Sequence, residues 1–465
     1  MKIEEFIKPF EMYKNSQIID ISSQTEYKYS EFNEQAELIS SEIKTLAIPL
    51  HSVVLIYKVS NTVKSLLFFY ASLKSGLIPF IIETEEIEDL DDLKYSAVIC
   101  DYELNNMMHN SIKKVISKGN IYYHCNEECF IGTEEDFIVA TSSKSTSSIS
   151  KKILLGKKQT LFNIESNRKA LSIVHSDKTL ILLPLSYCYG LIAQFLTHIS
   201  VGANIIIAPK ILGVVQLQAL LEKYKISTLF LTPLLARLIL IYNKSKIKNV
   251  LRYATLGGDK PSASTILKIQ NLLECTIYGT YGLGEAGPRV ATNKFNLDYV
   301  NNNKISLGNF NAGIHATIIP SLKYETKTNI PGIGYLKIFT QSVYIGYIEG
   351  NKLNRSESQK YIITKDIVYK QNDEYYMLGR ENEYIVKNNK LYWFQEFKSY
   401  FYNNPNILKV IIKKQENNVL DITVFYKNLY DITLEIEDSF LSKYKLEKDI
   451  DYKLHIIKYQ YNQYK

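Results

Sequence analysis

Residues 137–153, FIVATSSKSTSSISKKI, set a run of serine and threonine hydroxyls directly before Lys151 and Lys152. A phosphate group asks for clustered main-chain N–H groups, hydroxyl donors and a cation, and this segment supplies hydroxyls and cations just after an apolar, strand-like FIVA. A second concentration lies at 361–397, with Thr364-Lys365-Asp366, an Asn372-Asp373 turn and Leu378-Gly379-Arg380. It pairs a carboxylate, which accepts hydrogen bonds, with a guanidinium, which donates them in a planar fork. Between these segments lie LGGDKP (256–261) and YGTYGLGEAG (278–287). Paired glycines at a strand end let a flat ring system lie against the main chain. His124, Cys125 and Cys129 are metal-ligand types set close together, but no second ligand pair follows, and they read as a loop beside a strand.

The elements that must position these residues alternate in type. Helical periodicity at 28–48 precedes an apolar strand at 52–58, a helix at 63–76 ending on Gly76, and strands at 77–82 and 95–101. The pattern resumes with strands at 179–185, 203–209 and 227–233, a helix near 215–224, and a strand running into a turn at 252–261. Strand–helix–strand alternation predicts an α/β fold with largely parallel sheets. From about residue 330 short Tyr-rich segments (334–340, 374–380) predict a β-rich subdomain. Beyond Arg380 a strand (383–387), a helix (395–403), two strands (407–414, 419–426) and a helix (438–445) predict a small α+β unit. The expected division is 1–380 and 381–465.

A chain of 465 residues exceeds one typical core, in keeping with two or more domains. The net charge of +7 is interspersed rather than gathered in a stripe, and no nucleic-acid-binding module is present, so nucleic acid is not an expected partner. Five scattered cysteines fit a reducing cytoplasm rather than a disulfide framework. The most apolar region, 179–209, is broken by Pro184, Tyr187, His198 and Gly202 and reads as buried strand plus helix, not as a membrane span.

Taken in order, these motifs resemble the adenylate-forming superfamily, which includes acyl-CoA synthetases, peptide-synthetase adenylation domains and luciferases. The resemblance runs from about residue 25 to 465. It identifies the Ser/Thr-rich segment with the superfamily's phosphate loop, with Ser145 and Thr146 at the paired hydroxyls, Ser147 beside them and Lys151 as the lysine; Lys144 and Ser147 replace its glycines and Ser150 its proline. In LPLSYCYGL (183–191) it implies an acyl pocket carrying Tyr187, Gly190 and Leu191, with Tyr187 where a histidine is usual. It implies that Gly257, Gly258, Asp259 and Gly282 border the adenine, that Tyr281 stacks on it, and that Glu285 helps hold Mg²⁺. Gly284 replaces a threonine there. Asp366 would accept from the ribose hydroxyls and Arg380 would reach ribose or phosphate. Asn382 would be the hinge of a mobile C-terminal domain. The terminal Lys465 would be the adenylating cation, although neither Pro nor Gly precedes it.

The implied activity is that of an acid–thiol ligase. ATP activates a carboxylic acid as its adenylate, pyrophosphate leaves, and the acyl group passes to a thiol of CoA or of phosphopantetheine on an acyl or peptidyl carrier protein. No aspartate stands at the α-ammonium position, which favours an aryl or alkyl acid, because a buried cation without a counter-charge is costly. Two alternatives remain: an α-amino-acid adenylation domain, and a non-catalytic relative that binds nucleotide or a carrier partner.

Overall fold

The computed structural model describes residues 3–58, 61–83, 93–101, 112–117, 120–125, 128–141, 151–209, 214–243, 245–248, 250–296, 300, 305–387, 390–415, 419–427, 440, 443–444 and 452–458. Ser145, Thr146, Ser147 and Lys465 lie outside them, as does most of the helix expected at 438–445. The fold is mixed α/β. Its largest sheet has nine strands, in the order Asn309–Phe310, Ala291–Lys294, Thr276–Tyr281, Tyr253–Gly257, Thr228–Leu231, Lys178–Ile181, Asn204–Ile207, Gln17–Asp20 and Thr25–Lys28. The six inner strands from Thr276–Tyr281 to Gln17–Asp20 are parallel, and both edges are antiparallel. Strands covered on both faces need apolar runs rather than alternation, and Thr228–Leu231 is buried along its whole length.

A five-stranded sheet combines the parallel trio Ile78–Glu83, Val53–Lys58 and Ala97–Cys100 with the antiparallel strands Asn120–Cys125 and Ile112–Ser117. The β-rich part is larger than expected, and it is assembled from distant segments. Lys152–Gly156 pairs with both Asp136–Thr141 and Gly346–Glu349. His315–Pro320, Gly334–Phe339, Tyr361–Gln371 and Glu374–Arg380 form an antiparallel meander. Such pairings span long stretches of chain, so local periodicity does not reveal them.

Helix starts follow local chemistry. Thr62, Thr232 and Ser262 each accept from the N–H three residues on, at 3.2 Å, and Pro233 fills the first turn after Thr232. The helix expected to end on Gly76 stops at Lys74, and Gly76 takes φ +73°. Thr232→Ala should cost about 1 kcal/mol of stability, measured by denaturant unfolding, with no change in the slope of the transition.

Residues 384–458 carry a core of their own, in which Phe397, Ile407, Leu420, Ile422, Phe440 and Tyr452 are fully buried. Helix Phe394–Phe401 begins with Glu396 accepting from the Trp393 N–H at 3.1 Å, a capping arrangement that suits the expected helix start. Leu408 inserts instead into the core of the nine-stranded sheet. No helix among the described residues is long and apolar enough to cross a membrane.

Behind that sheet His198 is fully buried, its Nδ1 2.7 Å from the Gln194 carbonyl oxygen and its Nε2 2.9 Å from Thr228 Oγ1. Burial lowers its pKa from 6.5 to about 4, outweighing the Gln194 contact. The unfolded chain therefore binds a proton that the folded one refuses. The resulting stability is present above pH 6.5 and is lost as pH falls toward 4, by about 3 kcal/mol. His198→Asn should remove this part of the acid slope in a series of melting curves taken across that window.

Candidate active site

A cavity of about 380 Å³ opens at the carboxyl ends of parallel strands Tyr253–Gly257 and Thr276–Tyr281. Ligands of open α/β sheets gather at such strand ends. Gly258, Asp259 and Lys260 continue from the first strand, and Tyr281 to Gly284 from the second. Tyr187, Cys188 and Tyr189 form a further wall. Asp366, Met377, Gly379 and Arg380 come from the meander, and Gln395 and Lys398 reach in from helix Phe394–Phe401.

The carboxylate and guanidinium singled out from the sequence meet. Asp366 pairs with Arg380 across the hairpin, whose turn residues Asn372 and Asp373 take φ +51° and +64°. Arg380 Nε donates to Asp366 Oδ1 at 2.8 Å, and the Tyr281 hydroxyl donates to Oδ2 at 2.5 Å. Asp366 is almost fully buried. For Arg380, burial works against the charge, but Asp366 outweighs it and holds the guanidinium pKa above its usual value.

Gly258 takes φ +82° facing the cavity, which favours glycine over any L-residue. A Cβ on Gly282 would lie 2.0 Å from the Pro288 carbonyl oxygen, so only glycine lets the chain pass there. A Cβ at Gly284 would lie 2.7 Å from Ile153 Cδ1, so an apolar side chain crowds the position where the superfamily has a threonine. Glu285 Oε1 accepts from the Tyr347 hydroxyl at 2.9 Å, and Lys151 Nζ sits 4.5 Å from the centre of the same ring. The end of the phosphate-loop segment and Glu285 thus meet across Tyr347, a residue whose part in the site was not read from the sequence.

Tyr187 lines the cavity, with its hydroxyl pKa pushed up to about 12 by burial and by Cys188. Gly190 and Leu191 do not line it. Gly190 sits where a Cβ would meet the Pro184 carbonyl oxygen at 2.3 Å, and Leu191 packs in the core. Both belong to the π-helix Tyr189–Leu196, which turns its side chains inward. Asp259 lines the cavity and accepts from the Lys260 N–H at 2.8 Å. Gly257 is buried beneath, against Thr280 and Tyr189. Asn382 takes φ +70°, held between Glu381 N–H to Lys365 O (2.7 Å) and Glu383 N–H to Arg380 O (2.9 Å). Asparagine tolerates this left-handed conformation.

Lys260 carries no sequence signature, yet its ammonium donates to the Met377 carbonyl oxygen at 2.7 Å inside the cavity, and Gln395 Nε2 donates to its own carbonyl at 3.3 Å. Burial brings its pKa down from 10.5 to about 8, against the opposing pull of Glu396 and Asp259. Glu383, also on the cavity wall, is shifted upward by burial.

The family model for AMP-binding enzymes matches residues 151–347, and this segment supplies the strand-end glycines, Tyr281 and Glu285. That segment is similar to the AMP-binding enzymes of the adenylate-forming superfamily. No curated protein matches its sequence. Solved structures of adenylate-forming proteins match over almost the whole chain. McyG A-PCP complexed with phenylalanyl-adenylate is 16% identical, covering 99% of this chain and 92% of that one, with a TM-score of 0.79. The anthranilate CoA ligase AuaEII in complex with anthranoyl-AMP is 14% identical (98% and 93%, TM-score 0.76). The o-succinylbenzoate CoA synthetase MenE from Bacillus subtilis, in complex with its acyl-adenylate, is 14% identical (97% and 94%, TM-score 0.74). Likeness at these identities establishes the shared fold.

Proposed function

We propose that this adenylate-forming chain activates an aryl or alkyl carboxylic acid with ATP and passes the acyl group to a thiol of CoA or carrier-protein phosphopantetheine. The observation that carries the reading is the joining of Tyr281, Asp366 and Arg380 in the cavity that Tyr187 also lines. A carboxylate has about four lone-pair sites, so Asp366 can accept from vicinal ribose hydroxyls while keeping Tyr281 and Arg380. Fixing the hydroxyl of Tyr281 orients its ring as a face for adenine. Glu285 would hold Mg²⁺ through a hard carboxylate oxygen. When bound, Mg²⁺ supplies neutralising charge. Lys151, which like Glu285 contacts Tyr347, would serve the same phosphates.

In the first half-reaction a substrate carboxylate oxygen bonds to the α-phosphorus, and the bond to the bridging oxygen breaks with release of pyrophosphate. In the second, a thiol sulfur bonds to the acyl carbon and AMP leaves. The protein's contribution is positioning and charge stabilisation. Residues 381–465 act as a mobile domain pivoting at Asn382, and Lys465 serves the first half-reaction. Gly284, in place of a hydroxyl, favours a second reading: a relative that binds nucleotide without turning it over.

ATP–pyrophosphate exchange with benzoic, cinnamic, fatty and amino acids, run alongside Lys465→Ala and Asp366→Ala, tests the proposal. Exchange with one acid class that is lost in both variants is the expected result. Exchange surviving in Lys465→Ala moves the catalytic cation elsewhere, and ATP binding without exchange on any acid supports the second reading.

A further inference from the structure

Directly behind the cavity lies a buried polar cluster that the proposed chemistry does not use. Arg289 is its centre and is fully buried. Its Nε donates to Asn167 Oδ1 at 2.9 Å and one Nη to Thr292 Oγ1 at 2.8 Å, while Nη1 has no partner among the described residues. Its described hydrogen-bond partners are neutral, and among the described residues it makes no ion pair with a carboxylate. Burial lowers its pKa to about 10, which leaves it charged at neutral pH. The buried Gln194 Oε1 and Tyr253 hydroxyl are also without partners among the described residues. A buried cation whose only partners are neutral is costly, and native interiors rarely leave such donors empty.

The cluster adjoins the cavity. Pro288 lines the cavity, and a Cβ on cavity-lining Gly282 would lie 3.0 Å from the main-chain nitrogen of Arg289. Tyr189 links the two regions, since it and the Arg289 guanidinium act on each other electrostatically. It lines the cavity, while its hydroxyl hydrogen-bonds Thr255 Oγ1 at 2.6 Å and Thr280 Oγ1 at 3.1 Å. It opens the π-helix Tyr189–Leu196, a rare element found disproportionately at functional sites.

Resting on the adenylation reading, we infer that the substrate acid carries a second anionic group, a carboxylate, on its far end, and that Arg289 receives it once the Tyr189 ring moves aside. The unpaired Nη1 then gains a charge-assisted hydrogen bond, and the buried cation gains a counter-ion. The acid class narrows to aryl or alkyl dicarboxylic acids.

The test compares adipate and terephthalate with their half-amides, which keep the shape and remove one charge. Exchange kinetics are read together with calorimetric binding in the presence of AMP. The expected result is at least a tenfold preference for the diacid, in KM and in binding, that disappears in Arg289→Met and is partly kept in Arg289→Lys, with ATP KM unchanged. Equal binding of diacid and half-amide by the wild-type protein overturns the inference, and needs no variant to fold. A preference that persists in a folded Arg289→Met also overturns it. Exchange on monoacids, indifferent to Arg289, keeps the adenylation reading and removes this one. Arg289-dependent diacid binding without exchange does the reverse.

Discussion

Asp366→Ala is expected to lower ATP–pyrophosphate exchange by a hundredfold to a thousandfold and to raise the ATP KM. Its carboxylate holds two neighbours at once, the Tyr281 hydroxyl and the Arg380 Nε. Alanine frees the tyrosine ring that the proposal assigns to adenine and leaves the guanidinium only the weaker electrostatic support of Glu383. Removing one member of a buried ion pair costs about 3–5 kcal/mol, and each tenfold in rate corresponds to about 1.4 kcal/mol. Arg380 keeps 25% of its side-chain surface, so the stability loss falls at the lower end, about 3 kcal/mol, whereas the carboxylate's 3% marks it as the member with no solvent to replace it. Asp366→Asn keeps an acceptor oxygen and should recover part of the exchange but little of the ion pair. An unchanged ATP KM in both variants would remove Asp366 from the nucleotide site.

This pair was legible in the sequence because local geometry brings it together. One hairpin joins the two residues, and its Asn-Asp turn is written in the chain. The strand-end glycines were legible for a similar reason, since a strand that stops on Gly-Gly has few other uses. What the sequence concealed depends on distant packing. Ile153 crowds the place of a hydroxyl at Gly284, but its strand reaches the site only by pairing with Gly346–Glu349. Tyr347 joins Glu285 to Lys151 through that same pairing. Lys260, Gln395 and Lys398 carry no signature because their role arises where two parts of the chain dock. Gly190, expected in the pocket, is a glycine for packing reasons: the Pro184 carbonyl leaves no room for a Cβ. The orphaned guanidinium of Arg289 was equally hidden, as a sequence shows an arginine but not the missing acid.

Arg237→Ala should release the C-terminal unit from the nine-stranded sheet, because the contacts Arg237 makes outweigh the cost of burying it. Arg237 lies on helix Pro233–Tyr242 with its Cζ 3.8 Å from the centre of the Tyr402 ring and its Nε donating to the Leu408 carbonyl oxygen at 2.7 Å. Leu408 is the residue that enters the core of the nine-stranded sheet. A desolvated cation–π contact contributes about 2 kcal/mol, and a hydrogen bond from a charged donor about 1.5–3 kcal/mol. Against them stands the burial of the guanidinium, which lowers its pKa and leaves Nη1 without a partner among the described residues. A net loss of about 2 kcal/mol follows, equivalent to roughly a thirtyfold fall in the docked population. If residues 381–465 must leave this docking for the thiol to enter, the variant should favour the second half-reaction over the first. Single-turnover measurements of adenylate formation and of thioester formation would show the ratio moving in that direction, with faster proteolytic cleavage at 381–383. Arg237→Lys, which keeps the charge but not the planar stack, should resemble alanine more than wild type. If both variants resist cleavage like the parent, the Leu408 insertion alone holds the docked state, and Leu408→Ala becomes the variant that releases it.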